Sequence, residues 1–113
     1  MIEADLFETM WNMRSMRRLK PDPIDPEIVS HIIECAVRAP NGQNTQPWSF
    51  LVVQDADAKQ FLQRHYYEAM TERTGLTRPS DDDLSKSARS RRAAHHLAEH
   101  LHEAPVLLLV CGK

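Results

Sequence analysis

Two stretches of this sequence carry residue types that could bind a polar ligand. The first, residues 14–20, reads Arg-Ser-Met-Arg-Arg-Leu-Lys and places four cations and one hydroxyl within seven residues. Arginine presents planar donors that fork onto phosphate oxygens, and Ser15 adds a short donor. The stretch is therefore a candidate phosphate clamp. A solvated basic edge on the protein surface is the alternative interpretation of the same composition.

The second stretch is the polar segment 41–46, Asn-Gly-Gln-Asn-Thr-Gln, which lies between Pro40 and Pro47. Pro40 stops the preceding helical pattern, and Pro47 restrains the entry to the following apolar run. A turn needs only one or two residues of this kind, so six in a row indicate a loop shaped around something polar. A simple connector between a helix and a strand is the alternative.

Histidine and cysteine provide a weaker signal. His96 and His100 are four residues apart on a predicted helix, which is compatible with zinc binding, but the sequence supplies no clear third ligand and no His-Glu-x-x-His order. Cys35 and Cys111 form no Cys-x-x-Cys pair. We therefore predict no metal site and interpret the histidines as part of an exposed polar helix face.

The elements that position these stretches follow from periodicity and capping signals. A helix is predicted over 5–13, and Pro21 and Pro23 prevent further helix after the basic stretch. Asp25 and Pro26 begin a second helix. The remaining predicted elements are a strand over 49–53, a helix from an Asp55 cap to about Arg73 that ends at Gly75, a helix over 84–103 that begins with a Ser80–Asp83 capping box, and a strand over 105–111.

The order helix, helix, strand, helix, helix, strand predicts an α+β fold with helices packed on a small sheet. Both strands are nearly continuous apolar runs, which is typical of strands covered on both faces. Two strands alone make a poor sheet. We therefore expect a partner chain or a further segment to complete it.

Composition limits the functional classes. The chain has 113 residues, a net charge of -2, 42% hydrophobic residues and 27% charged residues, which is ordinary for one soluble domain. The charge gives no bias toward nucleic acid or membranes, and the basic stretch lacks the interleaved aromatic residues of a nucleic-acid binder. No apolar run approaches a membrane span and the N-terminus lacks a signal-peptide pattern, so a cytoplasmic location is expected.

The chain resembles the N-terminal half of the nitroreductase-like flavoproteins in four segments taken in the same order: 14–19, 26–40, 41–50 and 104–110. The Asn-x-Gln-Pro-Trp element at 44–48 is the most specific of these matches. The resemblance implies an α+β protein that forms an intertwined homodimer and binds FMN at the dimer interface. It also implies transfer of a hydride from NAD(P)H through the flavin to a nitro compound, a quinone or a related small-molecule acceptor.

The resemblance implies eight cofactor-binding residues. Arg14, Ser15 and Arg17 match the positions that hold the FMN phosphate and ribityl chain. Pro40, Asn41 and Gly42 match the loop against the flavin ring, usually contributed by the other subunit, and Asn44 and Gln46 match positions that shape this loop and the flavin edge. No catalytic side chain is implied, because the cofactor carries the redox chemistry and the protein positions it.

The sequence departs from the family pattern in three respects. Met13 stands at the family's first arginine, for which Arg18 is the candidate replacement, and Asn41 stands at the usual serine, a position that acts largely through its backbone. Family proteins are also longer, so the domain 1–113 is expected to be the N-terminal portion, incomplete at its C-terminal side.

Two functions follow. The first is an FMN-dependent NAD(P)H oxidoreductase, or its N-terminal portion, whose acceptor is not identified. The second is a non-catalytic module that needs a partner or a missing segment to fold and bind flavin. Its exposed strand edges at 49–53 and 106–110 predict self-association.

Overall fold

The computed structural model describes residues 4–113 as an α+β arrangement in the predicted element order. The elements are α1 (Leu6–Asn12), α2 (Pro26–Ala36), a 3-10 turn (Gly42–Asn44), β1 (Trp48–Val53), α3 (Ala56–Glu68) with a π-helical extension (Ala69–Arg73), α4 (Lys86–His100) with a 3-10 extension (Leu101–Glu103), and β2 (Leu107–Gly112). None of these helices is long and apolar enough to cross a membrane.

Aspartate caps begin the first three helices. The carboxylate of Asp5 accepts the Glu8 N–H at 2.8 Å, Asp25 accepts the N–H of Glu27 at 2.9 Å, and Asp55 accepts that of Ala58 at 2.9 Å. Each bond satisfies a backbone donor that has no partner within the helix. The predicted caps at Asp25 and Asp55 are confirmed.

The two strands pair antiparallel, although 53 residues separate the end of one from the start of the other. The register places Trp48 opposite Gly112 and Val53 opposite Leu107. The backbone N–H of Lys113 donates to the carbonyl of Pro47 at 2.9 Å and extends the ladder beyond the strand. The residue that introduces β1 is thereby tied to the end of β2.

The buried core lies where α3 and α4 meet the chain entering β2. Its members are small: Val53, Ala88, Ala98 and Ala104 are buried, together with His95. Two side chains of α3 tie these parts together, because Lys59 Nζ donates to the carbonyl of Ala104 at 2.9 Å and Gln63 Nε2 donates to the carbonyl of Ala98 at 2.8 Å.

A large apolar surface is left uncovered by the single chain. No residue of α1 or α2 is buried, and Trp11 is 89% exposed. The prediction that both strands are covered on both faces is wrong for one copy of the chain, since Leu51 is 56% and Val110 67% exposed. The Cα radius of gyration is 16.7 Å, whereas a compact domain of this length has about 13 Å.

Two local predictions on α4 are corrected by the structure. The helix begins at Lys86, and its cap is Ser85, whose hydroxyl accepts the Ala88 N–H at 3.1 Å. Asp83 stands outside the helix and accepts the N–H of Ser85 at 3.0 Å, so the predicted capping box does not form. His95 is buried against Tyr67 and does not belong to an exposed polar face.

Candidate functional site

The basic stretch lies in the extended segment 13–25 between α1 and α2. α1 ends at Asn12, and Met13 already has an extended backbone (φ -63°, ψ 130°). The Nε of Arg14 donates to the carbonyl of Asn12 at 3.2 Å and turns this side chain back onto the end of the helix. Arg14 and Ser15 are exposed, and Arg17 is half-buried.

The cations of this segment are not neutralised by a carboxylate within residues 4–113. Within residues 4–113, Arg14, Arg17, Arg18 and Lys20 form no salt bridge with a carboxylate. Arginine remains protonated at all relevant pH values. The segment therefore offers a local positive charge to an anion, as the sequence predicts for a phosphate clamp.

The polar loop is held in shape by its own hydrogen bonds. Asn41 Oδ1 accepts the backbone N–H of Gln46 at 2.7 Å, and the carbonyl of Asn41 accepts the N–H of Asn44 at 3.1 Å. Thr45 donates both its backbone N–H and its hydroxyl to the carbonyl of Gly42, at 3.2 and 3.1 Å. Asn41, which is half-buried, is therefore the anchor of the loop.

Three residues of this loop adopt a left-handed backbone that is unusual for side chains of their kind. Gln43, Asn44 and Gln46 have φ values of 52°, 54° and 50°. Asparagine tolerates this region, but glutamine enters it at a cost of the order of 1–3 kcal/mol, and such strain is common at functional sites. Gln43 was not among the predicted site residues, because its conformation has no sequence signal.

Glycine at position 42 is not required by the conformation or the packing of the chain. Its φ is not positive, and an added Cβ would meet no other heavy atom within 4 Å. Glycine also serves where a ligand or another backbone approaches closely.

Residues 44 and 46 are exposed, and their side-chain amides make no hydrogen bond with residues 4–113.

The two predicted parts of the site make no direct polar contact with each other within residues 4–113. No hydrogen bond or salt bridge within residues 4–113 joins Arg14, Ser15 or Arg17 to the loop 40–46. Two surface depressions, of about 520 and 360 Å³, lie elsewhere along α3 and its π-helical extension. None of the eight predicted residues lines either depression.

His96 of α4 has a lowered pKa. Burial, and then the positive charges of Arg18 and His100, lower the pKa of His96, while Glu103 and Glu99 oppose this shift. The rings of His96 and His100 stack with centroids 4.2 Å apart. No group of three His, Cys, Asp or Glu residues within 4–113 is placed to hold a metal ion.

Comparison with known proteins identifies the same family as the sequence motifs. The family model described as "Nitroreductase family" matches residues 12–113. The iodotyrosine deiodinase of Danio rerio is 33% identical over 108 residues, which cover 95% of this chain and 36% of that protein. Iodotyrosine deiodinase 1 of Rattus norvegicus is 30% identical over 110 residues, 97% of this chain and 38% of its own length. The chain thus spans about a third of the length of these relatives.

Solved structures show the same fold. An oxidized iodotyrosine deiodinase bound to FMN and 3-iodo-L-tyrosine superposes with a TM-score of 0.74 at 25% identity, covering 96% of this chain and 57% of that one. The FMN-dependent nitroreductase NfnB from Mycobacterium smegmatis, in complex with NADPH, gives a TM-score of 0.59 at 20% identity, covering 96% and 61%. The order of the motifs, the α+β fold and the family match together place this chain in the nitroreductase family.

Proposed function

We propose that this chain is part of an FMN-dependent oxidoreductase that takes a hydride from NAD(P)H and passes it to a small-molecule acceptor. The observation that carries the proposal is the loop 41–46. The side chain of Asn41 holds its strained backbone, and the side-chain amides of Asn44 and Gln46 have no hydrogen-bond partner within residues 4–113. A connection between α2 and β1 does not require this strained backbone, and strained loop backbone is common at ligand-binding sites.

The residues present fit FMN at both of its ends. The phosphate requires fixed positive charge, and Arg14 and Arg17 have no carboxylate partner within residues 4–113. A flat ring requires close approach to backbone, and Gly42 leaves open space where a side chain would stand.

Bound FMN supplies the chemistry of hydride acceptance and delivery. In this proposal Arg14, Ser15 and Arg17 hold the phosphate and the ribityl chain. Pro40, Asn41 and Gly42 lie against the ring, and the amides of Asn44 and Gln46 hydrogen-bond near its edge. These residues orient the cofactor and exclude water, and no side chain of the chain is assigned as an acid or base.

A second copy of the chain is part of the proposal. No hydrogen bond or salt bridge within residues 4–113 joins the phosphate segment to the loop, and we propose that each site takes its loop from a partner subunit. The exposed apolar residues of α1, including Trp11 at 89% exposure, support this assignment. Large contiguous apolar surfaces usually mark an interface.

An iodinated phenol is a second candidate acceptor. The observation in its favour is that the relatives from Danio rerio and Rattus norvegicus are iodotyrosine deiodinases, and that a similar solved structure holds 3-iodo-L-tyrosine. In this reaction two electrons and a proton replace the iodine by hydrogen and release iodide. Measuring iodide release beside the reduction of a nitroaromatic compound and a quinone would distinguish these acceptors.

Flavin titration of the purified chain tests the proposal. We expect the protein to take up FMN, to show the visible flavin band and to lose that band when NADPH or NADH is added without oxygen. Arg17→Gln should weaken FMN binding about tenfold or more, because hydrogen bonds to charged groups contribute about 1.5–3 kcal/mol. The matched control is Arg89→Gln, an exposed arginine of α4 that makes no side-chain hydrogen bond within residues 4–113.

Colourless protein that takes up no added FMN would contradict flavin binding by this chain. That outcome would favour the non-catalytic module, which needs a partner or a further segment. Size-exclusion chromatography and circular dichroism at several concentrations would then distinguish a self-associating module from a compact monomer.

A further inference from the structure

The polar loop 41–46 is tied to the sheet from its C-terminal side. Within residues 4–113, every hydrogen bond made by residues 37–46 ends within residues 33–46. No residue of α2, which leads into the loop, is buried. The hydrogen bonds that fix the loop relative to the sheet therefore begin at Pro47, where the chain leaves the loop and enters β1.

Pro47 is joined to the sheet by a single backbone hydrogen bond. The register places Trp48 opposite Gly112, so the next pair along the ladder is Pro47 with Lys113. A hydrogen-bonded pair of an antiparallel ladder exchanges two such bonds, but proline has no N–H to donate. The bond from the N–H of Lys113 to the carbonyl of Pro47, at 2.9 Å, therefore holds this pair by itself within residues 4–113.

This bond connects the loop to the buried core. Lys59 Nζ donates to the carbonyl of Ala104 at 2.9 Å, and Ala104 is buried shortly before β2 begins. The ladder between β1 and β2 carries this anchorage to the end of β2. On the other side of the bond, the N–H of Gln46 donates to Asn41 Oδ1 at 2.7 Å and closes the loop. A residue far from the loop in sequence thus fixes its exit.

We propose that Lys113 is a positioning residue for the candidate site. Its backbone N–H, acting through the carbonyl of Pro47, holds the polar loop in the orientation that binds the cofactor, and its side chain has no part in this role. The identity of the ligand, FMN, rests on the proposed function. The positioning itself rests on the hydrogen bonds of Lys113 and Gln46.

Three variants separate the backbone donor from the side chain. Lys113→Pro removes the N–H that Pro47 accepts. Lys113→Ala is the matched control, because it keeps this N–H and removes the charged side chain. Gly112→Ala is a second control at the neighbouring residue, where an added Cβ would lie 3.9 Å from the carbonyl oxygen of Pro47, an ordinary van der Waals contact.

Amide hydrogen exchange, followed by nuclear magnetic resonance on the purified chain without ligand, measures the effect. Lys113→Pro should accelerate exchange at the Gln46 amide about two- to tenfold, the effect of one lost hydrogen bond. It should leave the amide of Ala98, buried within α4, as in the wild type. Both control variants should match the wild type at both amides.

Two results of this measurement would overturn the proposal. The first is unchanged exchange at Gln46 in Lys113→Pro. The second is an equal acceleration at Gln46 and Ala98, which would show a general loss of stability and no specific hold on the loop.

Flavin titration separates this proposal from flavin binding itself. If the wild type binds FMN, Lys113→Pro should bind it about two- to tenfold more weakly, and both controls should bind it equally well. Equal affinity in all four proteins would overturn the positioning role, and the proposed function would stand. If the wild type does not bind FMN, the proposed function fails, and exchange at Gln46 alone decides whether Lys113 holds the loop.

Discussion

The side-chain carbonyl of Asn41 accepts the backbone N–H of Gln46 at 2.7 Å and closes the polar loop across five residues. The bond satisfies a donor on a residue whose own φ is 50°. A side chain that bonds to the backbone a few residues ahead offers that backbone an alternative to regular structure. Asn41 therefore acts on the loop through its side chain, in addition to any backbone contact with a ligand.

The first prediction concerns this bond. Asn41→Ala should release Gln43, Asn44 and Gln46 from their left-handed conformation and weaken FMN binding about two- to tenfold, since one hydrogen bond contributes about 0.5–1.5 kcal/mol. Flavin titration measures the change, with Gln54→Ala, an exposed residue just after β1, as the control. Equal affinity in Asn41→Ala and wild type would contradict the role assigned to this side chain.

The second prediction distinguishes two serines near the start of α4. Ser85→Ala removes the hydroxyl that accepts the Ala88 N–H and should lower the free energy of unfolding by about 1 kcal/mol. Ser80→Ala removes only an acceptor 3.3 Å from the N–H of Asp82, so it should change stability by less than about 0.5 kcal/mol. Chemical denaturation measures both variants. A larger effect at Ser80 would contradict the observed cap.

Local signals in the sequence predict the elements well, because they act over a few residues. Asp25 before Pro26, Asp55 before α3, and Gly75 with its φ of 66° all behave as capping and termination chemistry requires. The predicted capping box at Ser80 and Asp83 does not form. Asp83 accepts the N–H of Ser85, and Ser85 caps the helix in place of Ser80.

Long-range features could not be predicted in the same way. The antiparallel pairing of Trp48 with Gly112 depends on how α3 and α4 bring β2 back alongside β1, and no local sequence pattern specifies it. The core residues Ala88 and Ala98 are too small to produce a clear apolar stripe in a helix rich in Arg and His. Composition marks both stretches as candidate ligand-binding segments, whereas the cofactor roles predicted for the eight residues follow only from the family resemblance.

The third prediction concerns the buried histidine of α4. His95 is 8% exposed, stands edge-on to Tyr67 with centroids 5.9 Å apart, and has Nδ1 3.3 Å from Glu99 Oε2. His95→Ala should therefore lower the free energy of unfolding by about 2 kcal/mol through lost packing, whereas His31→Ala on the exposed face of α2 should change it by less than about 0.5 kcal/mol. Equal effects would contradict the burial of His95.

The fourth prediction tests the proposed second copy of the chain. Replacing both Phe7 and Trp11 by serine should shift the protein toward the monomer, because it removes apolar area that a partner would cover. The control is Leu84→Ser, a residue that is 76% exposed but lies just before α4. Light scattering after size-exclusion chromatography gives the mass. If Leu84→Ser dissociates the protein as much as the double variant, α1 is not the interface.

The fifth prediction is the pH dependence of stability that His96 contributes. Because burial and the charges of Arg18 and His100 lower its pKa in the folded state, the folded protein favours the neutral ring. The unfolded chain binds the proton near the ordinary value of about 6.5. The contribution of His96 to the free energy of unfolding is therefore complete above about pH 6.5. It is lost as the pH falls through the lowered pKa of His96 in the folded state.

Denaturation of wild type and His96→Gln between about pH 8 and pH 5 measures this contribution. The range spans the ordinary imidazole pKa, and the variant has no titrating ring at position 96. The wild type should lose more stability than the variant as the pH falls, while His31→Gln should follow the wild type. Asp83 and Glu103 also have lowered pKa values, but they titrate at lower pH and are present in all three proteins. Parallel curves for wild type and His96→Gln would show that the fold places no penalty on a charged His96, and the lowered pKa of His96 would then be contradicted.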